Sequence, residues 1–293
     1  ISTMKKTFLT LMLVAMSFVT FGQRWTALSS NTPTQPQVKL ISSSEEQIVV
    51  NFSLGGFNTI RVETPNGTQN IISVPKMAST LIAGAPDLPH FPIPVLIGDM
   101  AEMGVKVSNA QFTDFNIEVA PSKGIIKGNV NPDEVPYTYG EMYSQNAFYP
   151  AGQAHLEAPY IIRDFRGQNI MVTPFAYNPV TKTLRVFTSM TITMTKLSDN
   201  GENQKAARKS NNIKVDPEMK QAYSHRFINF SQTRYDFTED RGAMLVICPE
   251  QYMEAMQPLV DWKNQSGRPC TMVSVAEVGG NNENNIKSIS SFS

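Results

Sequence analysis

Short segments in which apolar and polar residues alternate dominate residues 38–196, and helical periodicity is almost absent from them. The segment 58–63 alternates in this way and leads into Asn66-Gly67, a pair that favours a tight hairpin. The segment 184–194 places its apolar residues on one face of a strand. This period of two residues predicts an all-β domain over 38–196, either a sandwich or a strongly curved antiparallel sheet.

The pattern changes near the C-terminal end of the chain. Residues 243–248 form a continuous apolar run, which is typical of a strand buried on both faces of a parallel sheet. Residues 251–265 have helical spacing, and 270–275 resemble a second strand. This β-α-β order predicts an α/β domain over 235–293. Two strands and one helix cannot complete such a sheet, so we expect that domain to be truncated.

The N-terminal residues 1–22 have the features of a leader and signal peptide. A basic pair, Lys5-Lys6, precedes the apolar run 8–21, and small Gly22 stands before a polar segment. Cleavage is expected between Gly22 and Gln23, which predicts a secreted or cell-surface protein with no membrane span after the signal is removed.

Two further intervals have the composition of loops. Residues 23–37 are rich in Ser, Thr, Pro and Gln, so we expect a flexible lead-in. Residues 197–234 contain many charged and few apolar residues, which predicts a solvated linker.

Composition excludes several classes of function. Lys+Arg and Asp+Glu are each 25, so the chain lacks the basic excess of a nucleic-acid-binding protein. Its two cysteines, Cys248 and Cys270, cannot form a multi-disulfide scaffold or a thiolate zinc site. The sequence therefore predicts no catalytic, cofactor-binding or metal-binding residue within this chain.

Several longer motifs closely resemble gingipain-type cysteine peptidase precursors, in the same order over roughly residues 38–278. They are Ala120–Gly124, Asn131–Tyr137, Ile162–Gln168, Tyr177–Arg185 and Asp261–Gln265. The first four resemble the family's propeptide, and the last resembles the first helix of its catalytic domain.

The resemblance implies a β-rich prodomain that assists folding and keeps the enzyme latent, followed by a caspase-like α/β domain. The family's His/Cys dyad would lie beyond residue 293, so no activity is expected from this fragment itself. Calcium, known in the family, would belong to parts absent from this chain. The implied partners are the chain's own or a cognate catalytic domain and a processing peptidase.

The same resemblance implies processing and inhibitory residues. Arg234-Tyr235 resembles the junction at which the prodomain is cut off, and Lys127 matches a region with a second processing site. Lys127, Arg163 and Arg166 are candidates for a basic side chain that enters an acidic specificity pocket. For the two arginines, the alternative is a structural ion pair with Asp164 or Glu157.

A different class of function also fits the N-terminal domain. A free-standing exported β-sandwich that binds an extracellular partner would share the β-rich pattern. The β-α-β segment distinguishes the two hypotheses, because a binding module does not need the first layer of an enzyme.

Overall fold

The computed structural model describes residues 23–206, 212–233 and 235–290. They form two compact units, and the chain passes between them more than once. Unit 1 contains residues 23–206 and 227–233, and unit 2 contains 212–226 and 235–290. The predicted signal peptide and Arg234 lie outside the described residues.

The strands of unit 1 pair in antiparallel ladders and build three sheets. The strands are β1 (Arg24–Ala27), β2 (Gln37–Ser43), β3 (Gln47–Ser53), β4 (Gly56–Thr64), β5 (Gly67–Ser73), β6 (Ala78–Ser79), β7 (Pro89–Leu96), β8 (Glu102–Asn116), β9 (Ala154–Leu156), β10 (Tyr160–Ile162), β11 (Phe165–Val172), β12 (Phe175–Asn178) and β13 (Thr183–Ser198). Their order is β1-β4-β5 in one sheet, β10-β11-β7-β6 in the second with β9 beside β11, and β12-β13-β3-β2 in the third with β8 beside β13.

The core of unit 1 lies where β13 pairs with β3. Met190 is opposite Phe52 and Ile192 is opposite Val50, and all four side chains are fully buried. Burial of each such side chain contributes on the order of 1.5–3 kcal/mol. The apolar residues of 184–194 thus lie on one buried face of β13, as the alternation predicted. The prediction of an all-β domain is confirmed.

Tight turns connect two of the hairpins of unit 1. Thr64 pairs with Gly67 at the end of the β4–β5 hairpin, where Gly67 has a φ of 98°, and this confirms the turn predicted at Asn66-Gly67. In the β12–β13 hairpin, Oδ1 of Asn178 accepts hydrogen bonds from the backbone N–H groups of Val180 and Thr181, at 3.1 and 3.3 Å. Side-chain capping of this kind stabilises the turn.

Residues 23–37 were expected to be a flexible lead-in, but they include a strand that is paired in a sheet. Strand β1 pairs with β4 along its full length, and Nε1 of Trp25 donates a hydrogen bond to the carbonyl of Ser30 at 2.9 Å. A Cβ atom at Gly56 would lie 2.3 Å from the Trp25 ring. The tryptophan fits because Gly56 has no side chain, a long-range condition that local composition does not reveal.

The described parts of the expected linker, 197–206 and 212–233, belong to the two compact units. Residues 199–206 lie on unit 1, where the N–H of Gly201 donates to the carbonyl of Met100 at 3.0 Å. The later part contributes a strand and a helix to unit 2 before 227–233 return to unit 1. Backbone groups and a few aromatic residues hold this interval, so its polar composition was a poor guide.

Unit 2 contains two small parallel ladders and three helices among its described residues. They are β14 (Asn212–Val215), α1 (Pro217–Arg226), β15 (Asp236–Glu239), β16 (Met244–Cys248), α2 (Met253–Gln265), β17 (Cys270–Ser274) and α3 (Glu283–Ser290). Strands β16 and β17 pair in parallel, and α2 lies between them in the sequence. This arrangement confirms the predicted β-α-β unit. None of the helices in the described ranges is long and apolar enough to cross a membrane.

Candidate inhibitory site

Lys127 lies in an exposed surface loop of unit 1, and the two ends of this loop are close together. On the entry side, the N–H of Ser122 donates to the carbonyl of Ala85 at 2.7 Å, and the N–H of Gly84 donates to the carbonyl of Ser122 at 2.9 Å. Residues 125–134 then lie at the surface, with only Ile126 half-buried. We call residues 125–134 the Lys127 loop.

Gly124 makes the turn into this loop possible. Its φ of 78° lies in the left-handed region, and a Cβ atom there would lie 2.9 Å from the side chain of Ala83. Its N–H also donates to Oγ of Ser122 at 3.1 Å. A larger residue would be strained in both backbone and packing.

The far side of the loop is tied back by Lys123. Its Nζ donates to the carbonyl of Pro132 at 2.8 Å and lies 4.5 Å from the centre of the Tyr137 ring. Oδ1 of Asn131 accepts the N–H of Asp133 at 3.1 Å and starts a short 3-10 turn. The loop is therefore closed by contacts at both ends, as in a compact Ω-loop.

Two tyrosines fix the chain behind the loop. The hydroxyl of Tyr139 donates to Oε1 of Gln69 at 2.7 Å, and the hydroxyl of Tyr143 donates to the carbonyl of Val119 at 3.0 Å. Their rings meet edge to face at 4.8 Å. Strand β5 and the segment around Val119 thus hold the chain that follows the loop.

Lys127 itself is exposed and begins a turn. Its carbonyl accepts a hydrogen bond from the N–H of Val130 at 2.9 Å, across Gly128 and Asn129. The Lys127–Gly128 peptide bond therefore lies in a folded turn instead of an extended strand.

Burial shifts the pKa values of two groups near the Lys127 loop, Asp87 and Tyr137. Burial raises the pKa of the Asp87 carboxyl, although a hydrogen bond from the Ser79 hydroxyl opposes this shift. Burial likewise raises the pKa of Tyr137, and the nearby carboxylates of Asp87 and Asp133 add to the effect.

Arg163 lies at the tip of the β10–β11 hairpin. Its side chain is 60% exposed and lies 3.7 Å from the carboxylate of Asp164, and its φ is 45°. Strand β10 is one edge of its sheet and β6 is the opposite edge.

Arg166 is fully buried and binds the backbone of its own unit. Its guanidinium donates to the carbonyls of Gly98 at 2.9 Å, Ala101 at 2.7 Å and Asn203 at 3.0 Å, and also to that of Glu202. Burial lowers the pKa of Arg166, and the Asp99 carboxylate opposes this shift. In this arrangement the charge of Arg166 is turned inward and is not presented to another protein.

A cavity of about 310 Å³ adjoins Arg166 and Gln168. Three glutamates also line it, Glu102, Glu157 and Glu202. Nε2 of Gln168 donates to the carbonyl of Glu157 at 2.8 Å, whereas its buried Oε1 has no hydrogen-bond partner. No group of three or more His, Cys, Asp or Glu suited to a metal occurs in the described ranges.

The residues before the predicted junction are clamped to unit 1. Oδ1 of Asn229 accepts the N–H of Leu96 at 2.8 Å, and its Nδ2 donates to the carbonyl of Leu96 at 2.9 Å. Phe227 stacks on Tyr160, with ring centres 6.4 Å apart. Unit 1 ends at Thr233, and Tyr235 is buried and belongs to unit 2.

Comparison with known proteins connects this architecture to a family. The family model Propeptide_C25 matches residues 29–259. The chain belongs to this family of gingipain propeptides. The Propeptide_C25 match extends through unit 1 into unit 2, which does not favour a free-standing binding module.

Curated relatives and solved structures agree with the Propeptide_C25 assignment. The chain is 33% identical over 278 residues to Gingipain R2 of Porphyromonas gingivalis, covering 94% of this chain and 37% of the relative. A Lys-gingipain of that organism is 24% identical, covering 88% of this chain and 15% of the relative. The chain thus spans only about a third, or less, of the length of these relatives.

Two solved structures share the fold. One, a complex of Porphyromonas gingivalis RgpB pro- and mature domains, has a TM-score of 0.62 and 30% identity, over 67% of this chain and 98% of that chain. The other, from work on the zymogenic latency of gingipain K, has a TM-score of 0.51 and 20% identity, over 60% of this chain and 100% of that chain.

The sequence offers Lys127 as a candidate but does not indicate the residues that hold its loop. Lys123 is one lysine in a motif, and its partners are a backbone carbonyl and a ring nine and fourteen residues away. Asn229 lies in a polar interval of the sequence, and its partner Leu96 is 133 residues distant.

Proposed function

We propose that this chain is the N-terminal part of a secreted gingipain-like cysteine endopeptidase precursor. Unit 1 assists the folding of the enzyme and keeps it latent until the propeptide is cleaved off. The observation that carries the proposal is the Lys127 loop, which holds an exposed basic side chain on a rigid β unit of a gingipain propeptide.

Latency follows from the chemistry of a basic side chain. A peptidase that cuts after basic residues must hold a cation beside a carboxylate in a desolvated pocket, and the Lys127 ammonium can make the same charge-assisted hydrogen bond. Because the propeptide is tethered to the enzyme, its effective concentration is on the order of mM. Modest intrinsic affinity is then enough to keep the precursor silent.

The turn at Lys127 explains how this residue can bind without being cut quickly. The Val130 N–H closes the turn on the Lys127 carbonyl, whereas a peptidase substrate needs an extended backbone across the scissile bond. Lys127–Gly128 becomes the second processing site once the turn opens.

Export and activation complete the proposal. The signal peptide is removed between Gly22 and Gln23, and the junction Arg234–Tyr235 is cut by a processing peptidase. In support, the residues just before this junction, 227–233, belong to unit 1, and Tyr235 belongs to unit 2. Arg163, at an exposed hairpin tip, is the second candidate for the inhibitory contact.

Inhibition constants test the role of Lys127. We expect Lys127→Ala in the full chain to weaken inhibition of its own mature catalytic domain by about 30-fold, the equivalent of ~2 kcal/mol for a desolvated charged hydrogen bond. Lys106→Ala, at an exposed lysine of β8, is the matched control and should inhibit like the wild type. If only Arg163→Ala weakens inhibition, the hairpin tip is the inhibitory element instead.

A second pair of variants tests the turn. Val130→Pro removes the N–H that closes it, so we expect faster cleavage after Lys127, measured by mass spectrometry of the digest. Val130→Ala keeps this N–H and should be cut at the wild-type rate. Equal rates for both variants would show that the turn does not protect the bond.

Processing is tested on exported precursor. N-terminal sequencing should find Gln23 as the first residue, and Arg234→Ala should accumulate as uncut precursor. An exported product that still begins at Met4, or an Arg234→Ala precursor that is cut as usual, would contradict the corresponding step.

A further inference from the structure

Three exposed apolar side chains lie beside the Lys127 loop. Leu81 is 50% exposed, Ile82 is 49% exposed and Ile125 is 83% exposed. The two segments that carry them are adjacent, because the pairing of Ser122 with Gly84 and Ala85 lies directly between them. We call Leu81, Ile82 and Ile125 the apolar shoulder.

The fold itself does not require these side chains to be apolar. Leu81 has a φ of 53°, a left-handed conformation that costs a branched apolar residue energy and that Asn or Gly would adopt more easily. The N–H of Leu81 donates to Oγ of Ser79 at 3.3 Å, so the backbone is held without any contribution from the leucine side chain. Strain combined with exposed apolar surface is a mark of a functional position.

Two other exposed apolar residues of unit 1, Phe112 and Val180, are placed differently. Phe112 is covered in part by the Arg185 guanidinium, 4.0 Å from its ring centre. Val180 lies in the β12–β13 turn, outside the two segments of the shoulder. The apolar shoulder therefore differs from isolated apolar residues, which are normal on any protein surface.

We infer that the apolar shoulder is a docking surface for the catalytic domain of the same precursor. This inference rests on the proposed function and names a second part of the contact. Ile125 is two residues from Lys127, at most about 7 Å along the chain. A protein that takes Lys127 into a pocket therefore approaches Ile125 closely, and Leu81 and Ile82 extend the same surface.

The identity of the occupant follows from the relatives. They continue far beyond the region that this chain matches, and unit 1 resembles a prodomain solved in complex with a mature domain. A buried apolar area around one charged anchor also excludes water from that anchor, which strengthens its hydrogen bonds. The shoulder would thus slow dissociation, while Lys127 provides specificity.

The test uses the full chain with Leu81→Asn and Ile82→Asn combined. Asn suits the left-handed backbone at position 81, so the unfolding midpoint should not fall. Inhibition of the mature catalytic domain of the precursor should weaken by about 10-fold or more, mainly through faster dissociation. Ile125→Gln should act in the same direction, and Val180→Asn, at a residue that is 52% exposed, is the matched control.

The outcomes separate this inference from the proposed function. If Lys127→Ala weakens inhibition while the shoulder variants inhibit like Val180→Asn, the shoulder is not part of the interface. If the shoulder variants weaken inhibition and Lys127→Ala does not, the docking surface stands and the pocket assignment of Lys127 falls. If none of them changes inhibition, both are overturned.

Discussion

Replacing Arg166 by Met should destabilise unit 1 without acting on the inhibitory contact directly. The methionine keeps an apolar stem but removes donors to four backbone carbonyls, which belong to the β7–β8 connection and to segment 199–206. A lost hydrogen bond to a charged group costs about 1.5–3 kcal/mol when its partner stays unpaired. Water in the adjacent cavity can satisfy some of these carbonyls, so we expect a total loss of about 3–5 kcal/mol.

The assay is equilibrium unfolding of the full chain in urea. A Trp262→Phe background leaves Trp25, in β1 of unit 1, as the fluorescent reporter of that unit. Arg163→Met is the matched control, because Arg163 is exposed and its ion pair with Asp164 is worth little. We expect the control to change the free energy of unfolding by less than about 0.5 kcal/mol.

Two results would refute this reasoning. Equal stabilities of the Arg166→Met and Arg163→Met variants would show that the four carbonyl bonds do not hold unit 1 together. A stable Arg166→Met variant that no longer inhibits would show that Arg166 takes part in the inhibitory contact. Gly201→Ala offers an independent check, since a Cβ there would lie 2.7 Å from the Arg166 guanidinium and should destabilise the same segment.

Three further predictions concern buried groups. Asn229→Ala should lower the free energy of unfolding by about 2 kcal/mol in the same urea assay, because it leaves the backbone of Leu96 unpaired, and a loss below ~0.5 kcal/mol would contradict the clamp. Burial lowers the pKa of His90 below its ordinary 6.5, so the unfolded chain takes up protons more readily. Stability should therefore fall as pH drops below about 6.5, and His90→Gln, compared by unfolding at several pH values, should lose part of this slope. Cys248 and Cys270 are buried, so iodoacetamide should label them slowly in the native chain and rapidly in urea, whereas fast native labelling would show that they are accessible.

Much of the fold was accessible from local pattern. The β12–β13 hairpin depends on an alternating strand and on the capping side chain of Asn178, both of which lie within a few residues of the turn. The β16-α2-β17 unit likewise follows from an apolar run, a helical period and Gly267, which has a φ of 76° after the helix. Such features are visible in sequence because the interactions that cause them are short-range.

The candidate site was accessible only in part. The resemblance made Lys127 a candidate, and the structure has this residue in an exposed loop. The same reasoning grouped Arg166 with Lys127, because the sequence alone gives no indication of which charged residue is surrounded by backbone. It also missed the apolar shoulder, since the pairing of Ser122 with Ala85 brings together segments about forty residues apart.

By itself, the sequence determined the strand-rich unit, its turns, the β-α-β segment and the family resemblance, because periodicity and turn chemistry are local properties of the chain. Only the tertiary structure decided that Arg166 is structural, that β1 belongs to a sheet and that 227–233 return to unit 1. The physical reason is that the partners in these contacts are largely backbone groups and a glycine. Every residue has a backbone carbonyl, so the carbonyls that bind Arg166, 36 to 68 residues away, have no signature in the sequence.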